Sequence, residues 1–342
     1  MSVPLVEITR GPLRESLHRG DIAVVDHKGK LLARAGDPEV VTYFRSAAKP
    51  IQALEVILSG AADRYGLDDR ELAVICSSHY GQDFHRQSVQ SILDKIGLDT
   101  SALRCGWPPS IKTEYALEAA RRGLGPGPLF SDCSGKHAGM LAVCRHLGYD
   151  ISNYESPNHP LQRKLLKLVS QLCGLEEERI AIGIDGCSVP VFALPLKNMA
   201  LGYARLARPE TLDKELCKAA ERITRAMVSH PEMISGTPGP LPGTWGFCSE
   251  LIRHGRGNII AKLGAEGVYC VGVKDRGLGL ALKIEDGNSR AIHPVVLKIL
   301  ADLQILDAAQ LEALDAFRHK KNYNDHGRVI GEYLTVFEMQ SN

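Results

Sequence analysis

No apolar stretch in the 342 residues approaches the roughly 18 to 20 residues that a membrane span needs, so no spanning helix is expected. Runs of lysine or arginine are missing too, and acidic and basic residues nearly cancel to a formal net charge of +1. A phosphate-binding stripe is thereby excluded, and nucleic acid is not an expected partner. The opening segment, MSVPLVEITRGPLRESLHRG, lacks the charged-then-apolar layout of an export signal. Nine cysteines (Cys76, Cys105, Cys133, Cys144, Cys173, Cys187, Cys217, Cys248 and Cys270) form an odd, scattered set without the dense spacing of a disulfide-stapled secreted domain. Reduced thiols and a cytoplasmic location follow as expectations. There is no internal repeat, no low-complexity tract and no linker that forces a split.

What is present is an ordinary globular composition, 44% apolar and 24% charged, enough to bury a large core in one domain spanning 1–342. Residues 21–35, DIAVVDHKGKLLARA, read as two apolar runs about a Lys-Gly turn, a hairpin signal. Late in the chain, NIIAKLGAEGVYCVGVKDRGLGLALKI reads as a three-run β-meander. Between them, HPLQRKLLKLVSQLCG from His159 and LDKELCKAAERITRAMVSH from Leu212 carry apolar residues at helical spacing. An antiparallel sheet built from the two ends, with helices between, predicts an α+β fold. The Gly- and Pro-rich stretch Gly236–Gly246 is expected to be an irregular loop.

Ser46-Ala-Ala-Lys49 opens a predicted helix whose Ile51, Leu54, Ile57 and Leu58 should face the core. Three-residue spacing puts Ser46 and Lys49 on one face. A lysine in such an apolar setting is expected to have its pKa lowered by desolvation, so that it can take the serine's proton. Ser46 as a mere N-cap and Lys49 as a solvated side chain fit the same four residues. Lys262-Leu263-Gly264, placed on a strand of the late meander, supplies the companion motif of serine β-lactamases and penicillin-binding proteins, which combine Ser-x-x-Lys on a helix with Lys-x-Gly on a strand. The glycine would let substrate approach the strand, although Lys262 on an exposed edge is the plain alternative.

Two further segments, AVICSSHYGQD (73–83) and IAIGIDGCSVP (180–190), read as apolar strands ending in polar turns that hold Ser78 and His79, and Asp185, Cys187 and Ser188. FSDCSGKHAGML (130–141) sets Ser134, Lys136 and His137 at a helix start. Caps and turns would explain each of these singly.

Taken together, FRSAAKPIQ, the SSH segment, DCSGKHAGML, the IDGC turn and AKLGAEGVY resemble the successive signatures of rhizobial-type asparaginases, of the asparaginase II superfamily, over residues 5–335. The resemblance implies a serine β-lactamase/glutaminase-like fold and hydrolysis of L-asparagine to L-aspartate and ammonia. It implies two tandems, Ser46 with Lys49 and Ser78 with Lys262, with Ser46 as the nucleophile. It also implies zinc held by Cys133, Lys136 and Cys187, which spacing alone does not indicate. A substrate α-ammonium would need a carboxylate, for which Asp185 is the candidate. The α-carboxylate would need Arg45, His137 and the turn holding Ser134 and Gly135. The expected partners are a small amino-acid amide and, as a homodimer, a second copy of the chain.

Three departures from the family pattern fall in loops that would line the pocket. Tyr80 and Gln82 stand in Ser-His-Tyr-Gly-Gln where Ser-His-Ser-Gly-Glu is usual. A longer GTPGPLPGTWGFCSEL without arginine replaces a compact Gly-x-Gly-Arg stretch, and Ser188 replaces a glycine. Two alternatives therefore stand beside asparagine hydrolysis: a glutaminase or other serine acyl hydrolase, and a zinc-binding protein without turnover.

Overall fold

A computed structural model describes residues 1–237 and 246–341; most of the Gly- and Pro-rich stretch, including 238–245, therefore lies outside the described residues. The chain divides into two compact units. One comprises Met1–Ala47, Leu194–Arg208 and Pro240–Asn342, the other Ala48–Ala193 and Pro209–Gly239. Neither is a continuous segment, and the sequence accordingly has no linker to find.

The first unit is built on an antiparallel sheet. Its strands are β1 (Val3–Arg10), β2 (Leu13–Asp26) and β3 (Leu31–Ala35), then β7 (Ile259–Gly264), β8 (Val268–Val273), β9 (Leu278–Ile284), β10 (Lys321–Tyr323), β11 (Val329–Thr335) and β12 (Gln340–Ser341). The order is β10-β11-β1-β2-β9-β8-β7, with β3 pairing β2 and β12. Both sequence expectations hold here: β2 and β3 are a hairpin, Ile22 opposite Ala35, and β7 to β9 are a meander. The two ends of the chain meet where β2 pairs β9, Gly20 opposite Ile284 and Asp26 opposite Leu278. The unbroken apolar run Ile22–Val25 is buried throughout, as a central strand covered on both faces must be.

Helix α8 (Leu196–Ala207) lies across β2, β8 and β9. Two glycines facing each other across strands, Gly272 and Gly279, make room for it. A Cβ at Gly272 would stand 2.7 Å from the Tyr203 carbonyl oxygen, and one at Gly279 would overlap that of Ala200. The helix backbone thus rests directly on the sheet backbone. Helix α12 (Ile292–Asp302) packs on β1 and β11, and α11 (Phe247–His254) on β7.

The second unit is helical: α1 (Lys49–Leu58), α2 (Ala61–Arg64), α3 (Asp69–Ile75), α4 (Asp83–Lys95), α5 (Thr113–Arg121), α6 (Ser134–Leu147), α7 (Pro160–Cys173), α9 (Lys214–Ser229) and α10 (Pro231–Ile234). Helices α7 and α9 fall where the periodicity predicts them. In α7, Leu161, Leu165, Leu168, Val169 and Leu172 are buried, while Arg163, Lys164 and Lys167 are exposed. The axis of the unit is α1, packed on α6, α7 and α9. Ile51 and Leu54 are buried as expected, whereas Leu58 is exposed and Ile57 only partly covered, because the buried stretch ends with the helix's second turn, at Val56. A hairpin of β5 (Ala181–Ile184) and β6 (Pro190–Pro195), Ile184 opposite Pro190, completes the picture.

One element differs in kind from its sequence reading. The apolar run before Ser78 is not a strand but the end of α3. Asp68 accepts a hydrogen bond from the Glu71 amide at 2.8 Å, and Glu71 accepts one from the Asp68 amide at 2.9 Å. This capping box starts a helix about one turn earlier than the apolar residues do.

Candidate active site

Ser46 and Lys262 both belong to the first unit. Ser46 is half-buried in a 3-10 turn, Arg45–Ala48, from which α1 continues. It is not the cap of that helix: Ala48 holds the cap position and no side chain caps it. Tyr203, reaching from α8, donates to the Ala47 carbonyl at 2.8 Å and holds the turn. Arg45 is at φ 51°, in the left-handed region. Lys262 is fully buried on β7, which excludes the exposed-edge alternative, and its Nζ donates to the Leu263 carbonyl at 3.0 Å. The glycine of Lys-x-Gly admits chain rather than open space, since a Cβ at Gly264 would stand 2.8 Å from the Phe44 carbonyl oxygen. The segment leading into Arg45 and Ser46 is thereby seated beside β7.

In the second unit, four segments converge: the first turn of α1, the loop after α3, the start of α6 and the β5–β6 turn. Lys49 is 1% exposed, so the solvated alternative fails. Its Nζ donates to the Ser77 carbonyl at 2.7 Å and to Ser78 Oγ at 2.9 Å, with Asp132 Oδ2 at 3.5 Å. The expected depression of its pKa is corrected here. Burial does pull it down, but the Cys133 sulfur and the Asp132 carboxylate outweigh burial, and the net shift is upward. Lys49 in this setting is an ammonium.

At the start of α6, Ser134, Gly135, Lys136 and His137 are all buried. Gly135 is required by packing: a Cβ there would overlap the Val74 carbonyl oxygen of α3. Lys136 Nζ stands 3.0 Å from Cys187 Sγ. The two cysteines interact as a pair. Cys133 keeps its proton and is pushed up by its hydrogen bond to Cys187 and by burial, while that same bond, with Lys136 and His137 nearby, lowers Cys187 toward the thiolate. Burial works against the charge on Lys136, yet the two sulfurs and Asp185 hold its pKa above the ordinary lysine value.

His137 Nδ1 lies 2.7 Å from the Tyr154 hydroxyl, which also accepts the Arg104 amide at 2.9 Å. The Tyr154 hydroxyl thus joins the His137 ring to the Arg104 amide. The ring's other nitrogen, Nε2, is buried on the side of the Cys187 sulfur, which interacts with the ring. Burial keeps the ring neutral despite the pull of Cys187. His79, beside Ser78, reaches across to α6 with Nε2 at 2.9 Å from Ser134 Oγ.

Asp185 and Cys187 sit in the hairpin turn. Asp185 Oδ1 accepts the Gly186 amide at 2.8 Å, and its carbonyl accepts the Ser188 amide at 2.9 Å. Ser188 is at φ 76°, which explains the glycine usual at this place: only glycine takes that conformation without penalty. Ser188→Gly should therefore relieve strain and raise stability by about 1 kcal/mol. A thermal unfolding midpoint that does not rise would show that the turn is unstrained.

His79, singled out only as a polar residue of its turn, joins this arrangement, as do Asp132 and Tyr154, which were not singled out. Asp132 adjoins a motif that was, and in that sense was within reach. Tyr154 carried no local signal, since its partner His137 is held to it only by the fold.

Among the described residues no three His, Cys, Asp or Glu side chains stand close enough to hold a metal ion. The Cys133, Lys136 and Cys187 set has only two donors of those types, its third being an amine. Its chemistry still suits a soft divalent cation: two sulfurs drawn together, one of them already toward thiolate, with a nitrogen in contact.

The described helices include none long and apolar enough to cross a membrane. A model of the L-asparaginase II family matches residues 6–335, through both units. No curated protein matches the chain. Among solved structures, Mglu in its native form is 19% identical, with 86% of this chain and 67% of that chain covered at a TM-score of 0.43. A β-lactamase from Mycobacterium bovis is 14% identical, with 83% and 94% covered at 0.43. A class C β-lactamase is 16% identical, with 83% and 92% covered at 0.43.

Proposed function

Because the chain belongs to the L-asparaginase II family, we propose that it hydrolyses the side-chain amide of L-asparagine to L-aspartate and ammonia. The observation that carries this reading is the buried Lys49, whose Nζ meets Ser78 Oγ at 2.9 Å beside the Asp132 carboxylate. A lysine against a serine hydroxyl, both out of water, can move a proton on and off a nucleophile once its ammonium has given up a proton.

The roles proposed are these. Ser46, three residues before Lys49, attacks the amide carbon and gives up its proton to that lysine. Ser78 and Lys262, as the second tandem, return a proton to the departing nitrogen, which leaves as ammonia. Water then cleaves the acyl ester and restores the serine. The contact in the folded chain joins Lys49 to Ser78, across the two tandems, so the warrant for pairing Ser46 with Lys49 and Ser78 with Lys262 is the family resemblance. For the amino-acid end of the substrate, His137, buried at the start of α6, is proposed as a carboxylate contact. Arg45 and the Ser134–Gly135 turn are proposed for the same carboxylate, and Asp185 for the ammonium.

Zinc is proposed on Cys133, Lys136 and Cys187, where it would supply positive charge beside the substrate. Both Cys133 and Lys136 must lose a proton to serve, so affinity should rise with pH. Metal analysis across pH checks this, and a Cys133→Ser variant that keeps full zinc content would exclude the site.

The deciding experiment is ammonia release from a panel of amino-acid amides. Turnover of asparagine well above glutamine is expected. A preference for glutamine would transfer the reading to a glutaminase, and stoichiometric zinc without any turnover would make this a metal-binding protein.

A further inference from the structure

We propose that His79 is a positioning residue whose imidazole, locked as the Nε2–H tautomer between the Gly81 amide and the Ser134 hydroxyl, keeps Ser78 in register with Lys49. For its effect on turnover the proposal rests on the amidohydrolase reading above.

The lock follows from hydrogen-bond polarity. The Gly81 amide can only donate, and it points at His79 Nδ1 at 3.1 Å, so Nδ1 must carry the lone pair. The ring hydrogen is then on Nε2, which faces Ser134 Oγ at 2.9 Å and donates to it. Both residues are completely buried. His85 stacks on the ring at 4.9 Å between centroids and 16° between planes, which removes its freedom to tilt.

The bond spans two segments. Ser78 ends the loop from α3, tied on its other side by its amide to the Ile234 carbonyl at 3.0 Å, and the Tyr80 amide bonds the Ser235 carbonyl at 2.9 Å. Ser134 begins α6, which carries Lys136 and His137. His79 is the side chain that fastens the loop to the helix, one residue from the hydroxyl that Lys49 holds.

The groups acting on the ring are Asp132, which favours its protonation, and Lys49 and Arg86, which oppose it, with His85 stacked alongside. Burial dominates and takes its pKa down to about 3. His79 is therefore neutral throughout the working range and takes no part as a proton carrier.

Two variants separate its two bonds. His79→Gln keeps an N–H that can reach Ser134, whereas His79→Asn keeps only an acceptor for the Gly81 amide. The Asn variant should lose about a hundredfold in kcat, the scale of a misplacement near 1 Å, with KM nearly unchanged. The Gln variant should stay within about tenfold of wild type, and both should keep the wild-type pH dependence of kcat/KM. An Asn variant with full kcat, or one whose pH dependence disappears, overturns the proposal.

A second measurement needs neither variant nor turnover. The 15N shifts of His79 in the wild-type protein should report an unprotonated Nδ1 and a protonated Nε2 from about pH 5 to about pH 9. An imidazole that titrates in that range overturns the proposal even if the variants do not fold. Absence of amide hydrolysis by the wild-type protein would instead sink the proposed function, and the tautomer would still be decided by the spectrum.

Discussion

Ser46→Ala and Lys49→Met should each lower kcat/KM for asparagine by at least about a thousandfold, and the double variant should be little worse than either alone. A nucleophile without its base, or a base without its nucleophile, performs no part of the step, so the losses do not add. Methionine is preferred to alanine at position 49 because the side chain is buried within hydrogen-bonding reach of Ser77, Ser78 and Asp132, and truncation would open a cavity as well as remove the amine. Thermal unfolding of each variant separates lost chemistry from lost fold. A folded Lys49→Met enzyme with near-normal activity would end the lysine-base mechanism. Mapping a trapped acyl group to a serine would separately decide between Ser46 and Ser78.

The second large effect is on pH. The form of Lys49 that can accept a proton is the neutral amine, which is populated only above its pKa. Since Asp132 and the nearby sulfurs hold that pKa above the ordinary lysine value, kcat/KM should climb about tenfold per pH unit across neutrality and keep climbing into the alkaline range. Lys136 pushes the other way, and the cysteine pair titrates with its neighbours, so the limb belongs to the cluster and not to one residue. Measuring kcat/KM between about pH 6 and about pH 10, on protein shown to stay folded, tests this. A flat profile would remove the lysine base. A plateau already at neutrality would mean that the negative charges around Lys49 are compensated in the working enzyme.

The case of Lys49 also indicates where reading the sequence succeeds and where it stops. Burial of this lysine was one of two readings the sequence left open, beside a solvated side chain, and the folded chain decides for burial. The sign of its pKa shift was not legible, because Asp132 and Cys133 come from a segment more than eighty residues away and only the folded chain brings Asp132 to it. The β2–β3 hairpin and helices α7 and α9 were readable since turn residues and periodicity are local properties. Helix α3 was misread for the opposite reason: its apolar tail Leu72–Ile75 matches a strand, and the signal that decides is the Asp68–Glu71 box upstream. Cys133, Lys136 and Cys187 were singled out by the resemblance alone, since their spacing fits no metal pattern, and in the folded chain Lys136 Nζ stands against the Cys187 sulfur. Tyr154 was beyond reach, since nothing around it in the chain marks the histidine it bonds.

The pairing of β2 with β9 has a consequence for how the protein is made. Gly20 must find Ile284, and a ribosome needs on the order of tens of seconds to synthesise the chain between them. During that interval the buried strand Ile22–Val25 has emerged and can pair β3, but its partner on the other side, β9, is still missing, while the segments of the helical unit are largely complete. Its apolar edge is a template for pairing with other nascent chains. Overproduction should therefore favour inclusion bodies at fast translation and warm growth, and slower synthesis or added chaperone should improve soluble yield by shielding an edge that the finished sheet no longer offers.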